Sequence, residues 1–374
     1  MTGRLALLIA LLCLAPAARA ATRIEFHDIV WPRHNKRTGH LEWILRADKA
    51  TPQPNDRYRC VRPRLSTFKR VEAGGRQRSR RELSLRADEG TYIWAADESE
   101  AHLTGNVKAL VASEEPITIR TQAATLNSTW TEAEEAAGEV VTKERVITSR
   151  ERVEVRSRTR TLTGRGMVLR DETREEPQPD GTLRERRTVS KLTVHRDPRM
   201  TLREGGGAAA LPSILSESAE DPSEPPKQVV IETDGPLVLD RLANVARFKA
   251  EAPDRKVVLT RGEGSTATSL TCRILTLYFA RRGAEEDEEL ALKRMLAEKQ
   301  VTYAGKDPEG RAQTFAGERF EWDPATSVGT LTGAPATMRT SGMRGRAPII
   351  QFNQAKNLIR CSRGARLVID FRPE

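Results

Sequence analysis

Aromatic residues make up only 5% of this 374-residue chain, which also holds just four cysteines and five histidines. Cys13 lies in an apolar run near the start of the sequence. The remaining Cys60, Cys272 and Cys361 are an odd and sparse set, so a disulfide framework is excluded. A single bridge between Cys272 and Cys361 and unpaired buried thiols both remain open.

The motifs of common enzymes are also missing. The sequence has no metalloprotease helix, phosphate-binding loop, nucleophile elbow or paired metal-binding cysteines. His27, His34 and His40 lie near the start, but their spacing fits no ligand geometry and the neighbouring arginines and lysines would repel a cation. The acidic run at 285–289 lacks the alternating ligands of a calcium loop. We therefore expect no enzyme activity, no catalytic residue, no metal and no cofactor.

Long apolar runs are missing except at the start of the chain. Residues 1–4 are a short positive stretch, residues 5–15 are uncharged and apolar, and Ala18-Arg19-Ala20 is a small-x-small site. This pattern predicts a cleavable signal peptide at 1–20, because a membrane-spanning helix needs about 20 apolar residues and this run is shorter and contains Pro16. Retention as an anchor, with inner-membrane association, is the alternative.

The formal net charge is +10, or +8 without Arg4 and Arg19, and arginine dominates. In a cytoplasmic protein this charge would favour nucleic acid as a partner. Export argues against nucleic acid and leaves lipid phosphates, acidic glycolipids and membrane surfaces as the anionic partners.

One predicted strand carries a basic stripe, because alternate side chains share a strand face. The stripe consists of Arg150, Arg152, Arg156, Arg158 and Arg160. The guanidinium group pairs well with phosphate and carboxylate. The stripe is therefore either a solvated outer face or a site for an anionic headgroup or partner.

Apolar residues mostly alternate with polar ones, which predicts half-buried strands of about 5 to 10 residues. Glycine breaks this rhythm repeatedly between residues 83 and 169. Regular turn signals and the lack of interleaved helices favour an all-β sandwich, barrel or solenoid over an α/β enzyme. The only predicted helix is a short surface helix at Ala284–Lys299, for which an acidic disordered loop is the alternative.

Composition divides the chain into two halves. Residues 203–227 are rich in Gly, Ala, Ser, Glu and Pro and predict a flexible linker. The expected modules are therefore residues 21–202 and 228–374. Within the first module, Thr173–Arg187 carries Pro and Gly and predicts a long hairpin loop.

Several elements of the first half occur in a familiar order. They are Ile24–Ile29, Gly39–Leu45 with Ala47, Leu85–Gly90 with Tyr92, Leu103–Val107, Ile119–Thr121 with Leu126, and Leu162–Met167. In content and order they resemble the periplasmic lipopolysaccharide-export family of the LptC kind, over roughly residues 24–171. The Leu-x-Gly-Asn-Val element at Leu103–Val107 is the most recognisable.

The second half is similar to the related OstA or LptA kind. The matching elements are Ile231–Asp234 with Leu237 and Leu239, Cys272–Tyr278, Met295–Val301, Ala316–Asp323 and Leu331–Ala336. The chain departs from the pattern at Lys299-Gln300, where the second module should show Gly-Asn. It also departs in its cleavable leader and in the fusion of two modules.

The resemblance implies two tandem rolled, V-shaped β-jellyroll modules in the periplasm, each with an apolar groove that shelters acyl chains. It implies lipopolysaccharide or a related glycolipid as cargo, membrane association, and edge-to-edge pairing with other jellyroll modules of an envelope transport bridge. From the alternating pattern, the first groove would be lined by Leu103, Val107, Ile117, Ile119, Leu126 and Val155. The second would be lined by Leu275, Leu277, Phe279, Phe320, Trp322 and Phe352.

Two other functions remain open. The chain could be an envelope assembly scaffold that binds proteins through its β-edges and has closed cores without lipid. A secreted β-helical enzyme acting on polysaccharide is the least supported, since no close set of carboxylates stands out in the sequence.

Overall fold

The computed structural model describes most of the chain after residue 23. The described residues are 24–34, 39–73, 76–94, 98–112, 116–135, 138–177, 183–202, 228–262, 267–282, 289–306, 311–340, 343–353, 356, 358–362 and 364–369. The predicted signal peptide at 1–20 and the predicted linker at 203–227 lie outside them.

The described residues of the chain form 23 strands, eleven of them in the first half. They are β1 (Phe26–His34), β2 (Leu41–Gln53), β3 (Arg57–Val61), β4 (Arg64–Ala73), β5 (Arg76–Arg86), β6 (Glu89–Trp94), β7 (Glu98–Val111), β8 (Ile117–Glu135), β9 (Gly138–Arg156), β10 (Arg160–Pro177) and β11 (Leu183–Leu202).

Twelve strands follow in the second half. They are β12 (Val229–Glu232), β13 (Leu237–Asp240), β14 (Val245–Lys249), β15 (Val257–Arg261), β16 (Thr268–Cys272), β17 (Ile274–Arg282), β18 (Glu289–Lys306), β19 (Ala312–Asp323), β20 (Val328–Arg339), β21 (Met343–Asn353), β22 (Leu358–Cys361) and β23 (Arg366–Ile369). The prediction of an all-β, rolled jellyroll fold is confirmed. Within the described ranges, no helix is long and apolar enough to cross a membrane.

Each half rolls up because the two ends of its long strands pair with different strands. The sheet therefore divides into two parts, which we call arms. In β7, Ser99–Thr104 pairs with β6, whereas Lys108–Val111 pairs with β5. In β18, Glu289–Glu298 pairs with β17, whereas Thr302–Ala304 pairs with β16. Arm one contains β3, β6, β13, β14, β17 and β22; arm two contains β4, β5, β12, β15, β16 and β23. The apolar faces of the arms meet in one continuous core.

The long strands bend between the arms at β-bulges, where the pairing register shifts. In β7 the bend lies at Gly105-Asn106, with φ values of 72° and 49°. In β18 it lies at Lys299-Gln300, with φ values of 65° and 55°. The departure noted in the sequence therefore leaves the geometry unchanged, because Lys299 and Gln300 adopt the same left-handed backbone as the Gly-Asn pair.

The two halves are joined edge to edge. Arg199–Leu202 of β11 pairs with β12, and Lys191–Val194 of the same strand pairs with β13. Both arms therefore continue from the first half into the second, and the core residues of both halves belong to one cluster.

The predicted helix at Ala284–Lys299 is wrong in its described part. Residues 289–299 belong to β18, which pairs with β17 on one side and β19 on the other. The interior side chains are Leu292, Met295 and Ala297. A register shift between Tyr278 and Phe279 places two residues, instead of one, between Leu292 and Met295, and this spacing of three imitates a helical pattern.

Two further predictions need correction. Thr173–Arg187 is not a long loop, because Thr173–Pro177 and Leu183–Arg187 pair as the end of a β10–β11 hairpin. The strands that cross both arms also exceed the expected length, and β11 reaches 20 residues.

Candidate functional site

The predicted groove residues of the first half lie on the inner face of the rolled sheet. Leu103, Val107, Ile119, Leu126 and Val155 are all at most 6% exposed. Ile117 is half-buried and packs against the same cluster. The structure therefore brings these six residues together, while their role in lipid binding remains a prediction.

The predicted groove residues of the second half are sealed to a similar degree. Leu275 and Leu277 are fully buried, and Phe279 is the most exposed of the six at 9%. Phe320, Trp322 and Phe352 also lie in the common core. The side chains of this half fill the space between its arms.

The sequence analysis missed Phe315, which is buried at the centre of this packing. Its ring centroid lies 4.5 Å from that of Phe352 in an edge-to-face arrangement and 5.9 Å from that of Tyr303. The bulge in β19 places Phe315 and Phe320 on the same face, although they lie an odd number of residues apart. Counting with a period of two from Phe320 therefore placed Phe315 on the opposite face.

A buried ion-pair cluster crosses the interior of the first half, and the sequence analysis did not find it. Glu82 on β5 pairs with Arg145 on β9 and Arg187 on β11. The Arg145 guanidinium also donates to the Thr67 hydroxyl on β4 at 2.7 Å. Since β4 and β5 belong to arm two and this part of β9 to arm one, the cluster ties the arms together.

The charge state of Glu82 follows from this setting. Burial disfavours its carboxylate, but Arg145 and Arg187 outweigh the burial, so the pKa of Glu82 lies below its usual value. Glu82 is the extra residue of a bulge between Thr67 and Phe68 of the partner strand, which turns it inward beside Leu83. Strict alternation places Glu82 outside, so a period-two pattern could not have found it.

A second ion-pair cluster lies beside the first. The Lys143 ammonium group is 2.5 Å from the Glu175 carboxylate and 3.4 Å from that of Glu42. Burial disfavours the charged lysine, but these carboxylates prevail and the pKa of Lys143 is raised. Lys143 and Arg145 share the inner face with Ile147, so alternation along β9 was a usable sequence signal for both.

A pocket of about 450 Å³ opens where the two halves meet, and we call it the junction pocket. Its floor is apolar and its rim is charged. The floor consists of Ile117, Val155, Leu162, Leu192, Met200 and Phe279. The rim carries Lys69, Arg80, Arg160 and Arg241, together with Glu185 and Asp240, and the lining also includes the Glu82–Arg187 ion pair. Four cations against two carboxylates give the rim a positive balance.

The basic stripe does not form one strand face, and this prediction is corrected. β9 ends at Arg156, Ser157–Thr159 form a turn, and Arg160 begins β10. Arg150, Arg152 and Arg156 are exposed on β9, with the Arg156 guanidinium 2.5 Å from the Glu154 carboxylate. Arg160 lies instead at the junction pocket. A role of these arginines toward an anionic headgroup or partner remains a prediction.

Cys60 and Cys272 are buried, Cys361 is half-buried, and all three are unpaired thiols. Burial raises the pKa of Cys60 and of Cys272 to about 12, so neither thiol forms a reactive thiolate near neutral pH. Within the described residues, no group of three His, Cys, Asp or Glu side chains could hold a metal ion.

Comparison with known proteins gives a likeness in structure alone. No family model and no curated protein sequence matches the chain. Among solved structures it is similar to LptH from Pseudomonas aeruginosa, the LptA homologous periplasmic component of a lipopolysaccharide transport device. The identity is 17%, the TM-score is 0.30, and the match covers 39% of this chain and 95% of LptH. A TM-score this low carries no argument about function, which must come from the geometry of the chain itself.

Proposed function

We propose that this chain is a non-enzymatic periplasmic protein of lipopolysaccharide or similar glycolipid transport toward the outer membrane. In this proposal residues 1–20 are removed on export, residues 21–202 form an LptC-like module, and residues 228–374 form an OstA or LptA-like module. Residues 203–227 connect them. The observation that carries the proposal is the sheet that continues from β11 into β12 and β13 over an uninterrupted apolar core.

The same kind of join would extend the chain into a bridge. In the described part of the chain, β1 pairs only with β2, and β22 and β23 pair only with β21. Large apolar side chains are exposed near both ends, with Ile24, Phe26 and Val30 at one and Ile349 and Leu358 at the other. Unpaired strand edges bind further strands through main-chain hydrogen bonds. The ends therefore suit partner modules of the same architecture.

The interior supplies the affinity for acyl chains. Each buried methylene contributes about 0.8 kcal/mol, so the apolar faces of the two arms can hold acyl chains without any catalytic group. The twelve predicted groove residues form the inner surface that an acyl chain would contact where the arms separate. The exposed Arg150, Arg152 and Arg156 would then face anionic headgroups on the membrane side.

The test is the lipid content of the gently purified mature protein. Native mass spectrometry should show a glycolipid adduct, and a photo-reactive residue at Ile117 should cross-link to it. A photo-reactive residue at Leu110, which is exposed on the outer face of β7, is the matched control and should not cross-link. Bare protein together with no cross-link from Ile117 would defeat the proposal.

The basic residues have a separate test. Charge reversal of Arg156, Arg158 and Arg160 together should weaken binding of the protein to vesicles that contain acidic lipid, because the guanidinium groups pair with phosphate. The parent protein on neutral vesicles serves as the reference. Unchanged binding to acidic vesicles would discard the headgroup role.

A second candidate is an envelope assembly scaffold without lipid cargo. The observation that favours it is the burial of eleven of the twelve predicted groove residues to 9% or less. A scaffold would lose partner assembly when an edge is changed, as in Val30→Asp, and would carry no lipid at any stage. Assembly lost in Val30→Asp with no lipid adduct in the parent protein would select the scaffold over the carrier.

A further inference from the structure

The junction pocket combines elements of both halves. Val155 and Leu162 come from the first half, and Phe279 comes from β17 of the second. The turn between β13 and β14 forms part of its rim and exposes Leu242 there. The Arg241 amide at the start of this turn donates to the Ser190 carbonyl at 2.9 Å, and the Phe279 amide donates to the Asn244 carbonyl at 2.9 Å. The rim is therefore held in place by backbone hydrogen bonds.

Arg160 is the best-positioned cation at the mouth of this pocket. Its Cζ atom lies 4.7 Å from the centroid of the Phe279 ring, which is a cation–π contact between the two halves. Its backbone is fixed as well, because Ser157 and Arg160 exchange hydrogen bonds across the β9–β10 turn. A guanidinium stacked on an aromatic ring can also bind a carboxylate or phosphate through its N–H groups.

The rim favours a negative headgroup. Glu82 is paired with Arg145 and Arg187, so this cluster adds no unpaired negative charge. The Asp240 carboxylate accepts hydrogen bonds from the amides of Leu242 and Ala243 and lies 3.6 Å from the Lys191 ammonium group. In the rim Lys69, Arg80, Arg160 and Arg241 outnumber Glu185 and Asp240, so an anion entering the mouth meets attraction.

The size of the pocket limits its occupant. A volume of about 450 Å³ is in the lower part of the range of roughly 300–1,000 Å³ that small-molecule sites span. The floor is closed toward the core by residues such as Leu192 and Met200, each 1% exposed. A single acyl chain fits this space, whereas a glycolipid with several chains requires the arms to open.

We propose that the junction pocket is a binding site for one single-chain anionic amphiphile, with its acyl chain on the apolar floor and its headgroup at Arg160. This site goes beyond the transport of a glycolipid along the two grooves and does not depend on it. A chain of this kind could bind in the pocket whether or not the arms ever open.

The test uses the full mature protein after removal of bound lipid and measures dodecanoate binding by calorimetry. Dodecanoate should bind in a saturable manner, and dodecanol, which has the same chain and no charge, should bind more weakly. The Arg160→Gln variant should lose about ten- to a hundredfold in affinity for dodecanoate, as expected for a lost hydrogen bond to a charged group. The matched control is Arg165→Gln, exposed on the same strand and outside the pocket, which should bind as the parent does.

A second variant separates binding from folding. Ile117→Trp places a larger side chain over the pocket floor and should abolish dodecanoate binding while the urea unfolding midpoint stays close to that of the parent. The proposal is overturned if dodecanol binds as well as dodecanoate, if Arg160→Gln and Arg165→Gln behave alike, or if the parent binds no dodecanoate.

The outcome is distinct from that of the transport proposal. Dodecanoate binding without any glycolipid adduct would refute transport and support the junction site. A glycolipid adduct that persists unchanged in Arg160→Gln, together with no dodecanoate binding in the parent, would support transport and refute the junction site.

Discussion

The bulge at Lys299-Gln300 allows the strain of a left-handed backbone to be measured. Lys299 has a φ of 65°, in the region where Gly105 of the first half has 72°. A non-glycine residue in this conformation costs about 1–2 kcal/mol. Replacing Lys299 by glycine removes this cost but adds about 0.5–1 kcal/mol of lost chain entropy on folding. The expected result for Lys299→Gly is thus a stability equal to or slightly above that of the parent.

A second lysine variant isolates the strain from the entropy. Lys249 is exposed on β14 and has no positive φ, so Lys249→Gly carries the entropy cost without any relief. The free energies of unfolding of the two variants, measured by urea titration, should differ by about 1–2 kcal/mol in favour of Lys299→Gly. An equal loss of stability in both would refute the idea that the bulge is strained.

The reverse substitution in the first half, from glycine to a residue with a side chain at Gly105, is expected to be unfavourable. A Cβ atom on Gly105 would lie 2.6 Å from the Asp88 carboxylate, which also accepts a hydrogen bond from Asn106. At the equivalent corner of the second half, Arg273 turns away and donates to the carbonyls of Ala252 and Pro253. Gly105→Ala should therefore lose at least the strain of about 1–2 kcal/mol, and a neutral result in the same titration would contradict this account.

Three predictions concern buried groups. Glu82→Gln leaves the arginines that face it without a counter-charge, so urea titration should show a loss of about 3–5 kcal/mol, whereas replacing Glu82 and Arg145 together by methionine should lose less. Because the pKa of Glu82 is lowered on folding, its contribution is present above its unfolded pKa and disappears as the pH falls through the folded pKa; Glu82→Gln should flatten the acid side of the stability profile. Cys361 should react with a thiol reagent well before Cys60 and Cys272 in the native protein, and equal rates would contradict their burial.

The fold class could be predicted because alternation is a local signal. Leu103, Val107, Ala109 and Val111 are read as one face from the sequence, and the structure buries all four. Strand positions such as these depend on residues within a few places of each other, which a single sequence displays.

Bulges limited what could be predicted of the interior. The bulge at Glu82 turns the Glu82 side chain from the outer face to the inner face. The bulge between β17 and β18 changes the spacing of Leu292 and Met295. Glu, Ala, Leu and Lys also have high helix propensity, which favoured the prediction of a helix at Ala284–Lys299. Pairing with β17 and β19 overrides that propensity, and neither partner can be identified from the segment itself.

The cross-arm ion pairs were hidden for a different reason. Arg145 and Arg187 lie 42 residues apart in the sequence and meet at Glu82, which lies on the other arm. Their approach depends on how the sheet rolls, and no local pattern records it. The junction pocket has the same origin, since its floor combines β8–β11 with β17.

The join between the halves differs in kind from the edges at the two ends. On β12 and β13, Val229, Ile231 and Leu237 are completely buried where they meet β11. At the end of the first half, by contrast, Phe26 and Val30 on β1 are about half exposed. Separating the halves would expose this buried apolar surface, at a cost of about 25 cal/mol per Å². Covering the exposed apolar side chains at the end edges would gain free energy in the same proportion to the area buried. The internal join is therefore stabilised by buried apolar surface, whereas the end edges keep apolar side chains that a further strand would cover.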